Sequence, residues 1–312
     1  MHIAITGSTG LVGKALVSHL GGQGVRITRL VRRRPQAGEV FWNPSANNVD
    51  PGLLSGCDAV VHLAGENIAN GRWNKAKKKR ICQSRVESTR LLSATLAAAE
   101  KPPQVLVSAS AIGYYGETGD QLVDEQSPSG DDFLAEVCRQ WESATLPAKE
   151  AQIRVANVRI GMVLAGEGGA LQKMLTPFRL CLGGRIGSGR QFWSWIEIND
   201  LVRTLEHIIH SPALSGPVNA VAPQPVTNLQ FTKALSKTLR RPALLPLSAA
   251  IVRLMLGEMA DALLLSSTRV SSALLENSDF IFKFPDIQST LQHLLDKKCS
   301  CKITESALNG LE

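Results

Sequence analysis

Apolar residues at the start of the chain change period within twenty positions. His2 to Ile5 is a short apolar run that reads as a buried strand, and Val12, Leu16 and Leu20 then recur every four residues, the single stripe of a packed helix. Val25 to Val31 alternates as a second strand. A short Val40-Phe41-Trp42 strand and a loop rich in Pro, Asn and Gly follow. Ala59 to Asn67 begins as a buried strand and ends in small residues. Asn74 to Ala99 reads as one long helix, ended by Pro102-Pro103, and Val105 to Ser108 opens the next strand. Ile153 to Val158 continues the sheet and Leu171 to Leu182 is helical. Trp193 to Leu201 leads into a helix with an Asn-Asp start, and residues 220 to 295 are helical or loop-like with several Pro breaks. Strands alternating with helices predict an α/β fold with a doubly wound parallel sheet.

The first turn carries candidate chemistry. Gly7-Ser8-Thr9-Gly10-Leu11-Val12-Gly13 joins the first strand to the first helix with glycines three apart. The first glycine permits a tight turn, the second lets a pyrophosphate approach bare backbone, and the third lets helix and strand pack closely. This is the dinucleotide fingerprint of a Rossmann-type sheet, and Gly7, Thr9, Gly10, Leu11, Val12 and Gly13 are its candidate contacts. The acid that bonds a ribose 2′-hydroxyl is expected at the end of the second strand, where this chain has Arg32-Arg33-Arg34. Guanidinium groups there suit a 2′-phosphate, so Arg32 and Arg33 point to NADP(H) rather than NAD(H). Leu63-Ala64-Gly65 lies at the carboxyl edge beside the cofactor, and Arg85 lies where the long helix passes its phosphates. His62, inside its strand, reads as a satisfied core histidine.

Composition narrows the field. With 312 residues, 44% hydrophobic and 20% charged, the chain is expected to be a globular protein with a sizeable core. The net charge of +7 gathers mainly at Arg32 to Arg34 and Lys75 to Arg80, without the aromatic-basic interleaving of nucleic-acid binders, so no nucleic-acid partner is expected. No apolar run is long enough for a membrane span, and the first strand starts at residue 2, so a cytoplasmic protein is expected. Cys57, Cys82, Cys138, Cys181, Cys299 and Cys301 lack metal-ligand spacing, so no metal site is predicted. The glycine-rich loop Gly183 to Gln191 is able to wrap an anionic ligand and offers Arg185 and Arg190 to a small-molecule substrate.

Gly7-x-x-Gly10-x-x-Gly13, Leu63-Ala64-Gly65-Glu66-Asn67-Ile68, Ser108 to Gly116, Pro177-Phe178-Arg179, Gly187 to Gln191 and Asn219 to Asn228 together resemble the extended, atypical short-chain dehydrogenases/reductases. More narrowly they resemble bacterial epimerase-family proteins related to nucleotide-sugar epimerases, which carry a C-terminal domain of unknown function. The resemblance covers residues 1 to 295. The expected organisation is an NADP-binding Rossmann domain over 1–160, with 195–222 returning to it. A small, mostly helical cap over 161–194 and 223–295 takes the substrate side, and 296–312 is a mobile tail.

In such reductases a Ser or Thr after the fifth strand works with Tyr-x-x-x-Lys on the next helix, residues four apart sharing one face. The lysine lowers the tyrosine's pKa and the phenolate exchanges a proton while hydride moves at the nicotinamide. Ser110 fits the first role. If Glu142 matches the acid four residues past the lysine, the tyrosine and lysine places hold Leu134 and Cys138, and the chain has no Tyr-x-x-x-Lys. Its tyrosines are Tyr114 and Tyr115, so Ser110, Tyr114 and Tyr115 form the candidate catalytic set, with Tyr114 expected to face the cofactor and its neighbour the cap. Val163, after the sixth strand, is expected to fix the nicotinamide through its main chain, as in the family. Glu197 stands where relatives more often carry His. Two readings stay open: an NADP(H)-dependent oxidoreductase or epimerase acting on a polar small molecule, nucleotide-linked ones included, or a non-catalytic NADPH-binding regulatory or interaction protein.

Overall fold

A strand that is apolar on both faces needs helices on both sides of its sheet. A computed structural model describes residues 1–44, 49 and 51–296 of the chain. The expected tail from Lys297 onward, with Cys299 and Cys301, lies outside the described residues. The strands in chain order are β1 (His2–Thr6), β2 (Arg26–Val31), β3 (Glu39–Phe41), β4 (Ala59–His62), β5 (Val105–Ala111), β6 (Leu122–Val123) and β7 (Arg154–Ile160). They continue with β8 (Met162–Leu164), β9 (Phe192–Trp193), β10 (Trp195–Glu197), β11 (Gly216–Ala220), β12 (Val226–Thr227) and β13 (Arg269–Val270). Seven of them form one sheet in the order β11-β7-β5-β4-β1-β2-β3, with every neighbouring pair parallel. The order reverses at β1, and the crevice between the β1 and β4 ends is where such sheets bind ligands.

The helices are α1 (Leu11–Gly21), α2 (Lys75–Ala97), α3 (Phe133–Ser143), α4 (Leu146–Glu150), α5 (Gly169–Arg179) and α6 (Ile198–His210). The C-terminal part adds α7 (Asn228–Leu239), α8 (Ala249–Leu256), α9 (Glu258–Ala260), α10 (Ala273–Glu276) and α11 (Ile287–Leu295). Successive strand residues face opposite layers, as the period of two requires. Ile3, Ile5 and Val61 pack with Leu16 of α1 and Leu205 of α6, while Ala4, Val60 and Leu106 pack with Leu92 and Leu96 of α2. A third cluster, with Leu171, Phe178, Trp193, Phe231 and Leu291, unites α5, α7 and α11. The result is a doubly wound parallel sheet with a small, mostly helical C-terminal region.

Two elements differ usefully from the apolar pattern. β5 runs on to Ala111 because it pairs residue for residue with β7, from Val105 opposite Arg154 to Ala111 opposite Ile160, so Ser110 is held within a strand. α5 ends at Arg179, and Leu180 and Leu182 lie on the surface, 63% and 53% exposed, instead of extending the buried stripe. No helix among the described residues is long and apolar enough to cross a membrane.

Candidate functional site

The glycines of the first turn do different work. Gly7 has φ +66°, and a Cβ there would lie 2.6 Å from the Leu63 carbonyl carbon. A Cβ on Gly13 would come within 2.2 Å of the Gly7 carbonyl oxygen, so that glycine lets α1 press onto the turn. Gly10 is exposed and a Cβ there would meet only the Gly7 oxygen, at 3.3 Å, so its Cα side faces open space. Gly10 caps α1 without a side-chain hydrogen bond, and the first turn of α1 has no acid. By contrast, side chains of Asn74, Asp132, Thr227 and Ser248 cap α2, α3, α7 and α8. The α1 start thus keeps bare N–H donors and the positive end of its dipole turned to solvent behind a side-chain-free residue. A helix start of this kind can take a pyrophosphate. Thr9 is exposed beside it, and Leu11 packs near Gly168 and Gly169, at the equally uncapped start of α5.

The neighbouring turn after β4 is latched from inside. Thr6 Oγ1 accepts from the Leu63 and Ala64 amides at 3.1 and 3.3 Å and lies 2.7 Å from His62 Nδ1. With both amides donating to it, the hydroxyl gives its own proton to Nδ1. His62 therefore carries its proton on Nε2, which faces Ser88 Oγ at 3.3 Å. His62 is fully buried, and burial pushes its pKa down to about 3, so it stays neutral. It is the satisfied core histidine that its strand context predicts, and it also holds Leu63 and Ala64 in register. Beyond them, the Glu66 amide donates to Ser84 Oγ, and Lys77 Nζ donates to the Glu66 carboxylate at 2.7 Å. Arg85 of α2 lies against Gly65, where a Cβ would sit 3.3 Å from the guanidinium carbon.

At the end of β2 the two arginines part company. Arg33 is tied down, its guanidinium donating to Glu39 at 2.7 Å and to the Arg34 carbonyl. Arg32 is exposed and has no protein partner among the described residues. It is therefore the more available cation for a 2′-phosphate, whereas Arg33 would have to give up Glu39.

Ser110 sits at the far side of the same sheet edge, in a network. Its hydroxyl donates to Glu142 Oε1 at 2.7 Å. Arg159 of β7, 2% exposed, meets both oxygens of Glu142 at 2.9 and 3.0 Å and donates to the Tyr115 hydroxyl at 2.9 Å. Tyr115 donates in turn to Asn219 Oδ1 at 2.7 Å. Burial pushes the Tyr115 phenol up to about 12. Burial opposes the charge on Arg159, but the bonds to Glu142 more than offset it and hold the guanidinium cationic. Tyr115, 3% exposed, has its hydroxyl engaged on both sides, by Arg159 and Asn219, and is the tyrosine of the pair that packs into the protein. Tyr114 is half-buried, with Arg159 3.5 Å from its ring centre and no hydrogen-bond partner for its hydroxyl among the described residues. Glu142, Arg159 and Asn219 were not readable as a set from spacing. The available signal was Arg159 set between Val158 and Ile160 near the end of a central strand, since arginine is rarely fully buried without a partner.

Leu134 and Cys138 stand on α3 at the places that the resemblance gives to the tyrosine and lysine if Glu142 is the acid that follows them. Leu134 packs on Gly113, and the buried Cys138 thiol donates to the Ala111 carbonyl at 3.7 Å. Burial pushes that thiol up to about 12, so it is neither a base nor a cation. Leu134 also lines a cleft of about 310 Å³ with Trp73, Phe133, Glu117, Asp132 and Glu258. Arg253, the arginine of that lining, is bound to Asp261 at 2.8 Å. Arg185 and Arg190 do not line this cleft. Arg185 donates to its own loop carbonyls at Gly187 and Ser188, whereas Arg190 is exposed. The loop's glycines have a packing reason, because a Cβ on Gly184 would lie 2.0 Å from the Leu245 oxygen and one on Gly183 2.6 Å from the Phe178 ring. Val163 lies in β8, paired with Ile196 of β10.

Comparison with known proteins agrees with this fold. A family model described as the NAD dependent epimerase/dehydratase family matches residues 3–221, and one described as a domain of unknown function (DUF1731) matches residues 247–294. Epimerase family protein Mb2239 of Mycobacterium bovis is 44% identical over 290 residues, 93% of this chain and 96% of that protein. Epimerase family protein SDR39U1 of Homo sapiens is 38% identical over 299 residues, 95% of this chain and 100% of that one. A crystal structure of human SDR39U1 isoform 2 with NADPH has a TM-score of 0.89 at 35% identity, covering 95% of this chain and 100% of that one. UDP-N-acetylglucosamine 4-epimerase from Bacillus cereus shares the fold alone, with a TM-score of 0.73 at 16% identity over 94% of this chain and 98% of that one.

Proposed function

The chain belongs to the NAD dependent epimerase/dehydratase family, and from that membership we propose that it is an NADP(H)-binding oxidoreductase or epimerase acting on a polar small molecule. The observation that carries the reading is the shared edge. The bare α1 start behind Gly10, the latched Leu63–Gly65 turn and Ser110 all open at the carboxyl ends of adjacent parallel strands. A dinucleotide laid along that edge has its phosphates at one end and its reactive ring at the other. The human relative crystallised with NADPH, and the unpaired Arg32 at the end of β2, support NADP(H) over NAD(H). When bound, the nicotinamide supplies or accepts the hydride. Ser110 and Tyr114 then orient and polarise the substrate oxygen, Tyr114 being the phenol left with a proton to exchange. The cleft beside Leu134 bears Glu117, Asp132 and Glu258 and no unpaired cation, which favours a neutral, hydroxyl-bearing substrate over a nucleotide diphosphate.

A second reading has its own observation. With Leu134 and Cys138 in the catalytic places and the Ser110 hydroxyl already donating to Glu142, the protein can hold NADPH without turning it over. One experiment separates the two. Calorimetry with NADPH and NADH on wild type and Arg32→Ala establishes binding and preference. NADPH oxidation is then followed against a panel of small carbonyls, sugars and nucleotide sugars. The proposal expects at least tenfold preference for NADPH, since charge-assisted contacts are worth about 1.5–3 kcal/mol each, lost in Arg32→Ala. It also expects turnover that Tyr114→Phe cuts by about 100-fold or more. Tight binding with no turnover across the panel hands the case to the binding-protein reading, and equal affinities sink the cofactor assignment.

A further inference from the structure

The apolar stripe of a packed helix faces the core, but that of α8 faces water. Ile251, Leu254 and Met255 stand at i, i+3 and i+4, on one side of the helix, and are 49%, 77% and 62% exposed. Val252 is the residue that α8 buries. The approach to α8 continues the pattern, with Leu244 79% and Leu245 51% exposed. This approach is bound to a second exposed segment. The Leu245 amide donates to the Gly183 carbonyl at 3.3 Å, the Leu247 amide to the Arg185 carbonyl at 2.9 Å, and the Gly187 amide to the Leu247 carbonyl at 2.8 Å. That pairing sets Leu180 and Leu182, which leave the buried stripe of α5, alongside Leu244 and Leu245. Two distant parts of the chain thus build one apolar surface and hold it by backbone hydrogen bonds, which marks an interaction site rather than a frayed end.

Charge on the same two segments has one sign. Between Glu167 and Glu197 the chain carries Lys173, Arg179, Arg185 and Arg190 and no acidic side chain. Between Glu206 and Glu258 it carries Lys233, Lys237, Arg240, Arg241 and Arg253, again without an acid. The whole chain has a net charge of +7, so everything outside these stretches is net acidic. Of these cations only Arg253 forms an ion pair among the described residues, with Asp261. Cations also stand close to the exposed leucines. Arg179 precedes Leu180, Arg241 lies three residues before Leu244, and Arg253 precedes Leu254, all three arginines being exposed.

We propose that this face docks the protein on an anionic lipid bilayer. Helix α8 lies in the plane of the surface, with Ile251, Leu254 and Met255 among the acyl chains and the arginines at the headgroup phosphates. The protein rests on the membrane without spanning it, and no helix among the described residues is long and apolar enough to cross one. An acidic protein suits the face less well, because it would have to set carboxylates opposite individual arginines and match the shape of the leucines. A bilayer offers many equivalent phosphates above a layer that takes any apolar side chain, which is what a field of one sign around exposed leucines fits. Arg240, Arg241, Leu254 and Met255 have no part in the cofactor site described above, so the inference does not depend on the cofactor reading.

The test sediments the full chain with vesicles of phosphatidylcholine alone and of phosphatidylcholine mixed with phosphatidylglycerol. Two double variants divide the face: Arg240→Ser with Arg241→Ser removes charge at its rim, and Leu254→Ser with Met255→Ser removes the apolar stripe. All four substitutions are at exposed positions, and melting temperature checks that each protein folds like wild type. Wild type is expected to bind the anionic vesicles about tenfold or more tightly than the neutral ones, and raised salt should weaken that binding. The arginine variant should lose about tenfold on anionic vesicles, and the Leu254–Met255 variant about fivefold or more. Wild type that ignores anionic vesicles overturns the proposal. So does binding that the Leu254–Met255 variant keeps in full, since charge alone would then hold the protein and the apolar stripe would have another purpose. A second copy as the true occupant would show as dimers that the same variant breaks, with no vesicle binding, and this too overturns it.

Discussion

At one end of the sheet edge a glycine turn and a bare helix start are made by residues 7 to 13, consecutive in the chain; at the other, Ser110 is held by Glu142, Arg159, Tyr115 and Asn219, with 104 positions between the last two. The first region works through backbone, and its side chains matter by being absent. The second works through side chains whose bonds must all be made together. A backbone device is written in local spacing and survives any substitution that keeps the glycines. A side-chain network exists only after β5, β7, β11 and α3 have met, so its members can change type without changing any local pattern.

The sharpest way to break the comparison is to put the same side chain at two of the glycines. Gly10→Val is expected to leave the protein folded, with a melting temperature within a few degrees of wild type, because a Cβ there meets one atom at 3.3 Å. It should abolish measurable NADPH binding, the branched side chain filling the space where phosphate approaches backbone. Gly13→Val is expected to fail earlier, as insoluble or grossly destabilised protein, because its Cβ would lie 2.2 Å from the Gly7 oxygen. Solubility, melting curves and calorimetry check both. A Gly10→Val protein that binds NADPH normally would mean that the phosphate site is misplaced.

The same logic explains what was legible. Gly7-x-x-Gly10-x-x-Gly13 announced strand, turn and helix, and β1 and α1 are where it put them. Leu63-Ala64-Gly65 announced a turn at the carboxyl edge, and His62 its buried support. The second region resisted because Ser110, Tyr115 and Glu142 looked like separate remnants of a lost motif. Nothing in their spacing tells that Arg159 ties them into one cluster. Arg185 lies in a loop whose glycines have two readings. Glycines chosen for close packing on Leu245 and Phe178 give the same composition as glycines chosen for an anion.

The second region is tested by removing its charge partner. Glu142→Ala leaves Arg159 buried and unpaired, which typically costs about 3–5 kcal/mol, against little loss when both partners of such a pair are replaced by apolar groups. Urea unfolding should therefore show a midpoint well below wild type. NADPH affinity should fall far less than in Gly10→Val. A loss under about 1 kcal/mol would mean that water already serves Arg159 and that the network does not hold Ser110.

The smallest effect is expected between the two regions, at Glu197, where β10 pairs with the strand that carries Val163. The Glu197 carboxyl is fully buried and caps α6, accepting from the Asn199 and Asp200 amides at 2.6 and 3.1 Å. Burial raises its pKa to about 7, with the nearby Asp200 charge adding to the rise and the amide bonds opposing it. A raised carboxyl pKa favours the folded state when the group is neutral in both states, so the contribution is complete below the ordinary value near 4.5 and is lost as pH climbs to about 7. The whole shift would be worth roughly 3 kcal/mol, and relaxation of the polar cap should reduce it to about 1–2 kcal/mol. In a chain of this size that is a few degrees of melting temperature. Wild type should therefore lose those degrees between pH 5 and pH 8 relative to Glu197→Gln, which cannot ionise. Melting curves for the two proteins that stay parallel across that range would show that the carboxyl titrates like an exposed one.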